Sequence, residues 1–358
     1  MAVAPTFEVF KMPTEAKPPM PRKPVLIDLA LQGGGSHGAF TWGVLDRLLE
    51  EPWLTIDGIS GASAGAMNAA VLVCGHQLGG ALGARDALGA FWRRVSDAAR
   101  FSPFQRGPLD VLLGRWTLDS SPMYVAMDLM SRLVSPYDAN PLGKNPLREI
   151  LAEMIDFKVL TQSPIHLFVT ATNVRTGRGK VFKNDAVTPD VLLASACLPT
   201  MFQAIEIDGE AYWDGGYSGN PTLTPLVREC KSQDTILVPI NPIERPGVPR
   251  SASEILNRLN EVSFNAVALN ELRMMALLRK VADPGDGEGR LWRQMRVHAV
   301  RNAILTELGA SSKLNAEWPF FTFLRDEGRK AAQAFLDAHA TDLGARSTLD
   351  IDVLLEGV

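Results

Sequence analysis

The chain has 358 residues, room for about two domains of ~150 residues or one large α/β domain with an elaboration. Apolar residues make up 46% and charged residues 21%, which excludes a disordered chain, a coiled coil and a small disulfide scaffold. Lys and Arg number 36 against 40 Asp and Glu, so the net charge is −4; with no basic block, nothing favours a nucleic acid as partner. Cys74, Cys197 and Cys230 are widely spaced in apolar surroundings and form no CxxC pair, as buried reduced thiols would be. Residues 1–24 are rich in proline, lack an apolar leader and read as a loose tail. The expected location is the cytoplasm.

Residues 24–31 (PVLIDLAL) are a short apolar run ending at three glycines, which reads as a buried strand of a mostly parallel sheet. Phe40, Val44 and Leu48 then recur at helical spacing, with Asp46, Arg47, Glu50 and Glu51 opposite, giving a helix over roughly 37–50. A second strand is expected at 56–60 and a second helix at 64–74, stopped by Gly75. No Asp, Glu, Lys or Arg occurs from 58 to 84. Seven glycines there, with Asn68, His76 and Gln77, argue for a strand, a turn and a core helix rather than a membrane span. Two strand–turn–helix units in the first 80 residues point to α/β architecture.

Residues 100–148 are turn-rich and irregular, with a helix around 124–134. Further helices are expected at 147–154 and 191–196, a central strand at 165–173, a hairpin at 204–207 and 211–213, and a buried strand at 235–240. After Asn241 comes a linker-like stretch. A long amphipathic helix follows at 253–281, opened by Ser253 and Glu254, then a late strand at 295–300 and a helix at 315–340.

Three glycine turns carry the chemistry. Gly61-Ala62-Ser63-Ala64-Gly65 lies between a strand and a helix, the setting of a G-x-S-x-G elbow that lifts a serine hydroxyl out of the sheet. Gly33-Gly34-Gly35-Ser36-His37-Gly38 lies in the same setting. It parses as a dinucleotide fingerprint, whose acid would be Asp57, or as a nest of amides for an oxyanion. Asp214-Gly215-Gly216 places a carboxylate in a tight turn, and an activated serine needs a base. The histidines are His37, His76, His166, His298 and His339. Only Ser63, Asp214 and His298 match the chain order of an α/β-hydrolase triad, and MRVHAV does not read as a catalytic loop.

GGGSHGAF, GASAG and DGG, in this order, resemble the patatin-like phospholipase family. Ser63 follows the glycine loop by roughly 28 residues and Asp214 follows Ser63 by about 150. LPTMFQAIEIDGEAYWDGG also resembles that family's approach to its aspartate. The likeness covers about 25–240. The segments SASEILNRLNEVSFNAVALNELR and SSKLNAEWPFFTFLRDEGR resemble the C-terminal extension of a bacterial subgroup. The resemblance implies a three-layer α/β fold with a mainly parallel sheet (25–240) and a mostly helical extension (241–358). It implies hydrolysis of lipid acyl esters by a Ser63–Asp214 dyad, with Gly33, Gly34 and Gly35 around the oxyanion and no metal or other cofactor. Gly38, Gly61, Gly65, Gly215 and Gly216 complete the motifs. His37 departs from the Arg or Lys that members often carry there, which bears on headgroup preference.

Arg290, Arg293 and Arg296, with Leu291, Trp292 and Met295 between them, and Phe320, Phe321 and Phe323 further on, suggest peripheral contact with anionic lipid. Two rival readings are a nucleotide-dependent oxidoreductase and a non-catalytic protein of lipid surfaces.

Overall fold

A computed structural model describes residues 22–355 apart from 101, 103, 284 and 286; the expected tail over 1–24 lies almost wholly outside the described residues. One eight-stranded sheet organises the chain. Its strands are β1 (Val25–Leu31), β2 (Leu54–Gly61), β3 (His166–Asn173), β4 (Gly179–Lys183), β5 (Ile205–Ile207), β6 (Glu210–Asp214), β7 (Asp234–Val238) and β8 (Arg296–Ala299). Their spatial order is β5-β6-β3-β2-β1-β7-β8, with β4 also on β3. β3, β2, β1, β7 and β8 run parallel, while β4, β5 and β6 are antiparallel additions.

Strand periodicity sorts the core into two layers. Leu29, Leu31, Leu167, Val169, Ile236 and Val238 point to one face. Ala30, Phe168 and Leu237, the residues between them, point to the other. The first face is covered by α1 (Gly38–Leu48) and α2 (Ala64–Ala98). Next in the chain are α3 (Pro108–Leu112), α4 (Pro122–Leu133), α5 (Leu147–Met154), α6 (Pro189–Ser195) and α7 (Thr224–Glu229). The second face is covered by α7 and by α8 (Ala252–Val281). The helix expected at 64–74 runs on past Gly75 and breaks instead at Gly79 and Gly80, whose backbones leave helical geometry. Gly75 has a different use: a Cβ there would meet the Gly83 carbonyl at 2.6 Å, so the two halves of α2 close on each other. α8 begins at Ala252, capped by Ser251 and Glu254 in a reciprocal capping box rather than opened by Ser253.

The segment after 241 builds into the same sheet and layers. β8 pairs with β7, and α9 (Trp318–His339) lies along α1. A Cβ on Gly43 of α1 would strike the Arg325 backbone, and one on Gly328 of α9 would strike Phe40, so the two helices touch backbone to backbone. Phe320 and Phe321 are fully buried in that seam, each worth about 1.5–3 kcal/mol of transfer free energy. Trp292 and Met295 are buried as well and Arg296 pairs with Asp234, while Arg290, Leu291 and Arg293 stay exposed. Among the described residues no helix is long and apolar enough to cross a membrane.

Candidate active site

Three turns meet at the carboxyl end of the parallel strands. β2 ends at Gly61, and Ser63 follows with φ 53° and ψ −126°, a left-handed conformation unusual for a residue with a side chain. The tightness comes from glycines: a Cβ on Gly61 would meet the Ala66 nitrogen at 2.7 Å, and one on Gly65 would strike the Leu31 carbonyl. The Ser63 amide donates to Ser195 Oγ (2.9 Å), which donates on to the Thr170 carbonyl (2.7 Å). The bend is therefore held from α6 and β3. Ser63 is the residue that opens α2, at the end of the helix whose dipole favours negative charge.

Asp214 closes β6 and is 2% exposed. Its amide donates to the Cys197 carbonyl (2.8 Å), and its carbonyl accepts from Thr172 Oγ1 (2.7 Å). Gly215 and Gly216 follow because side chains there would strike the Thr170 carbonyl and the Phe264 ring. Burial pushes the Asp214 carboxyl up to about 7, against the Gly216 amide (2.7 Å), the Ser63 hydroxyl and the charge of Lys313. The Ser63 side chain thus acts on this carboxylate as a hydrogen-bonding neighbour.

The glycine loop wraps the same place. A Cβ on Gly33 would meet Ser63 Cβ at 2.7 Å, and one on Gly38 would meet Ala64 Cβ at 2.7 Å. Asn68 of α2 donates to the Gly38 carbonyl (2.9 Å), tying the serine helix to the loop. The three expected amides differ. Gly33 donates to Asn220 Oδ1 (2.7 Å), so its N–H is spent within the protein. Among the described residues, the Gly34 and Gly35 amides donate to no protein group, and Gly35 is exposed. Gln32 and Asn241 hold the loop from behind. Asn241 Nδ2 donates to the Gly33 carbonyl (2.8 Å), and Gln32 Oε1 accepts the Ile240 and Asn241 amides (both 2.9 Å).

His37 is buried. Its Nε2 lies 2.7 Å from Ser312 Oγ. That hydroxyl donates to the Gly309 carbonyl, so Nε2 carries the proton and the ring is neutral. Burial holds it well below the usual imidazole range. It is a strut to the later segment, not a headgroup cation. His298 is buried with Nε2 on Asp234 (3.0 Å) and Nδ1 on Thr348 (3.1 Å), so both nitrogens are spent away from Ser63. Asp57, the acid a dinucleotide reading would need, lies mid-strand in β2, where its carboxylate accepts the Lys231 and Ser232 amides.

Sequence reasoning missed Asn220, Asn241, Ser195 and Lys313. Asn241 carried a local signal, a polar side chain three residues after the fully buried strand β7.

A family model described as patatin-like phospholipase matches residues 29–227, more than half of the chain. The chain belongs to the patatin-like phospholipase family. The family implies lipid acyl hydrolase activity in general. No curated protein matches the sequence. Among solved structures, VipD from Legionella pneumophila is similar at a TM-score of 0.37 and 16% identity, over 89% of this chain and 67% of VipD. The patatin-like match ends before α8 and α9, so the groups those helices bring to the site lie outside it.

Proposed function

We propose that this patatin-like protein is a serine esterase of lipids in which Ser63 attacks the acyl carbonyl and Asp214 takes its proton directly. The Gly34 and Gly35 amides receive the oxyanion and Gly33 shapes the loop; Asp214 passes the serine proton to the departing alcohol, then takes a proton from the water that attacks the acyl-serine ester and returns it to Ser63 as the fatty acid leaves. One observation carries this reading: a strained Ser63 faces a buried carboxylate beside two amides that donate to no protein group. Residues 25–240 hold these groups, and the segment from 241 on is an extension of the same unit. Ser63→Ala and Asp214→Asn should each lower p-nitrophenyl ester turnover by about 10³-fold or more, and the double variant should be little worse than either. A folded single variant keeping a tenth of wild-type turnover would remove that residue from the dyad.

Lipid contact is better assigned to residues 108–142 than to the basic run. Leu109, Leu112 and Leu113 in and after α3, and Leu129 and Leu133 on α4, are all more than half exposed. This insertion is anchored on both sides of the site. Ser311 Oγ accepts the Leu118 amide (3.0 Å) near the glycine loop, and Gln203 donates to the Asn140 carbonyl (2.7 Å) near the Asp214 hairpin. An apolar surface spanning the mouth of a lipid site suits insertion into a lipid interface. Leu112→Asp with Leu133→Asp should abolish flotation with phospholipid vesicles while leaving hydrolysis of a soluble short-chain ester intact. Unchanged flotation would refute the assignment.

A further inference from the structure

The glycine loop and Asp214 share one neighbour that the serine-dyad reading does not use. Lys313 belongs to a 3-10 turn, Ala310–Leu314, outside the family match. Its backbone lies against the loop: a Cβ on Gly35, whose φ is +58°, would meet the Lys313 carbonyl at 2.5 Å. Its Nζ donates to Asn241 Oδ1 (2.6 Å), and Asn241 donates in turn to the Gly33 carbonyl (2.8 Å). The ammonium faces two acids, Asp214 and Glu261, and one cation, Arg245. Glu261 is already served by Arg245 through paired hydrogen bonds of 2.6–2.9 Å and by Arg258 (3.3 Å). Asp214 has no such guanidinium; Lys313 is the cation that acts on it. The other basic residue in the loop, His37, is buried and neutral.

Resting on the serine-dyad reading, we propose that Lys313 is a positioning residue of this active site, supplying the positive charge that balances Asp214 and, through Asn241, fixing the glycine loop that aims the Gly34 and Gly35 amides. Two contacts converge on this role. One is electrostatic and acts on the base. The other is a hydrogen-bonded chain, Lys313–Asn241–Gly33, and acts on the oxyanion donors. Burial pulls the Lys313 ammonium down to about 8, so it is charged at neutral pH and loses its proton in mildly alkaline solution. The other groups facing this pair are Cys197 and Tyr217 beside Asp214, whose protons are held more tightly by burial and then by its charge, and Glu261, Arg245 and His37 beside Lys313.

The test is the pH profile of kcat/KM on a soluble ester for the full chain and for Lys313→Met, Lys313→Arg and Asp214→Asn. A base ionises less readily without its cation, so Lys313→Met should move the acid limb up by roughly one pH unit, costing about fivefold at pH 7 and about tenfold below pH 6, with little change in KM. Lys313→Arg, which keeps the charge, should restore most of the rate and leave the acid limb where the wild type has it. A folded Lys313→Met with the wild-type profile overturns the proposal. A loss equal at every pH and not rescued by arginine also overturns it, because that is the mark of a purely structural contact. If Lys313→Met does not fold, Lys313→Gln, which keeps a donor but no charge, decides: a folded Lys313→Gln with the wild-type acid limb overturns the assignment. Failure of the dyad itself would show separately, as an active Asp214→Asn.

Discussion

Two aspartates buried at strand ends of one sheet have opposite electrostatic fates. Asp214, at the end of β6, has one amide, one hydroxyl and a lysine for company, and burial wins: its carboxyl is pushed up to about 7. Asp234, at the start of β7, accepts from Arg296 (2.6 Å), from His298 (3.0 Å) and from the Gly344 amide (2.9 Å), and is held down at about 2. Burial raises both, more so at Asp214, and the charged donors around Asp234 outweigh it there. A carboxylate saturated with donors is a structural clamp, whereas an under-served one stays basic enough to take a proton. The difference also explains why His298 cannot complete a triad with Ser63: it is committed to the clamp.

The comparison can be broken in three places. Removing the clamp should cost most. Asp234→Ala leaves Arg296 and His298 facing each other without their acid, and we expect a loss of ~3–5 kcal/mol by urea unfolding at pH 7. A native carboxyl held below its free value of 3.8 contributes stability that is complete above 3.8 and lost as pH falls through about 2. The deficit of the variant should therefore shrink in strong acid. Asp214→Asn should do the reverse. A native carboxyl held above 3.8 binds its proton more tightly when folded, so it costs stability as pH rises from 3.8 through about 7. The inactive variant should gain roughly 1–3 kcal/mol at pH 8, seen as a Tm a few degrees higher. An unchanged or lower Tm at that pH would mean Asp214 is better served than its contacts indicate. The smallest effect belongs to His298→Gln, whose turnover should stay within about threefold of wild type, against the ~10⁴-fold loss a triad histidine would show.

The parts legible in the sequence were those encoded by neighbours along the chain. Glycines at 33–35 and 61–65 between apolar runs and helical repeats announced two strand–turn–helix units, and the structure has both. What failed was long-range. Arg290, Arg293 and Arg296 with interleaved Leu291, Trp292 and Met295 read as one surface; the structure keeps Arg290, Leu291 and Arg293 outside but buries Trp292 and Met295 and pairs Arg296 with Asp234, which local spacing does not show. The stretch 100–148 read as irregular, yet it carries much of the exposed apolar surface, because a helix that faces away from the core keeps its periodicity without a core to match. Lys313 and Ser312 reach the glycine loop across most of the chain, and no local pattern encodes that contact.

The late arrival of Lys313 has a consequence for synthesis. A ribosome releases Ser63, the glycine loop and Asp214 first, and Lys313 comes 99 residues after Asp214. At ~5–20 residues per second this is a delay of roughly 5–20 s, and α9, which seals α1, takes longer still. During that interval the nascent chain has the proposed nucleophile and base but not the charge or the loop support proposed to set them to work. On the serine-dyad reading, a hydrolase made this way is disarmed until the segment around Lys313 has been made.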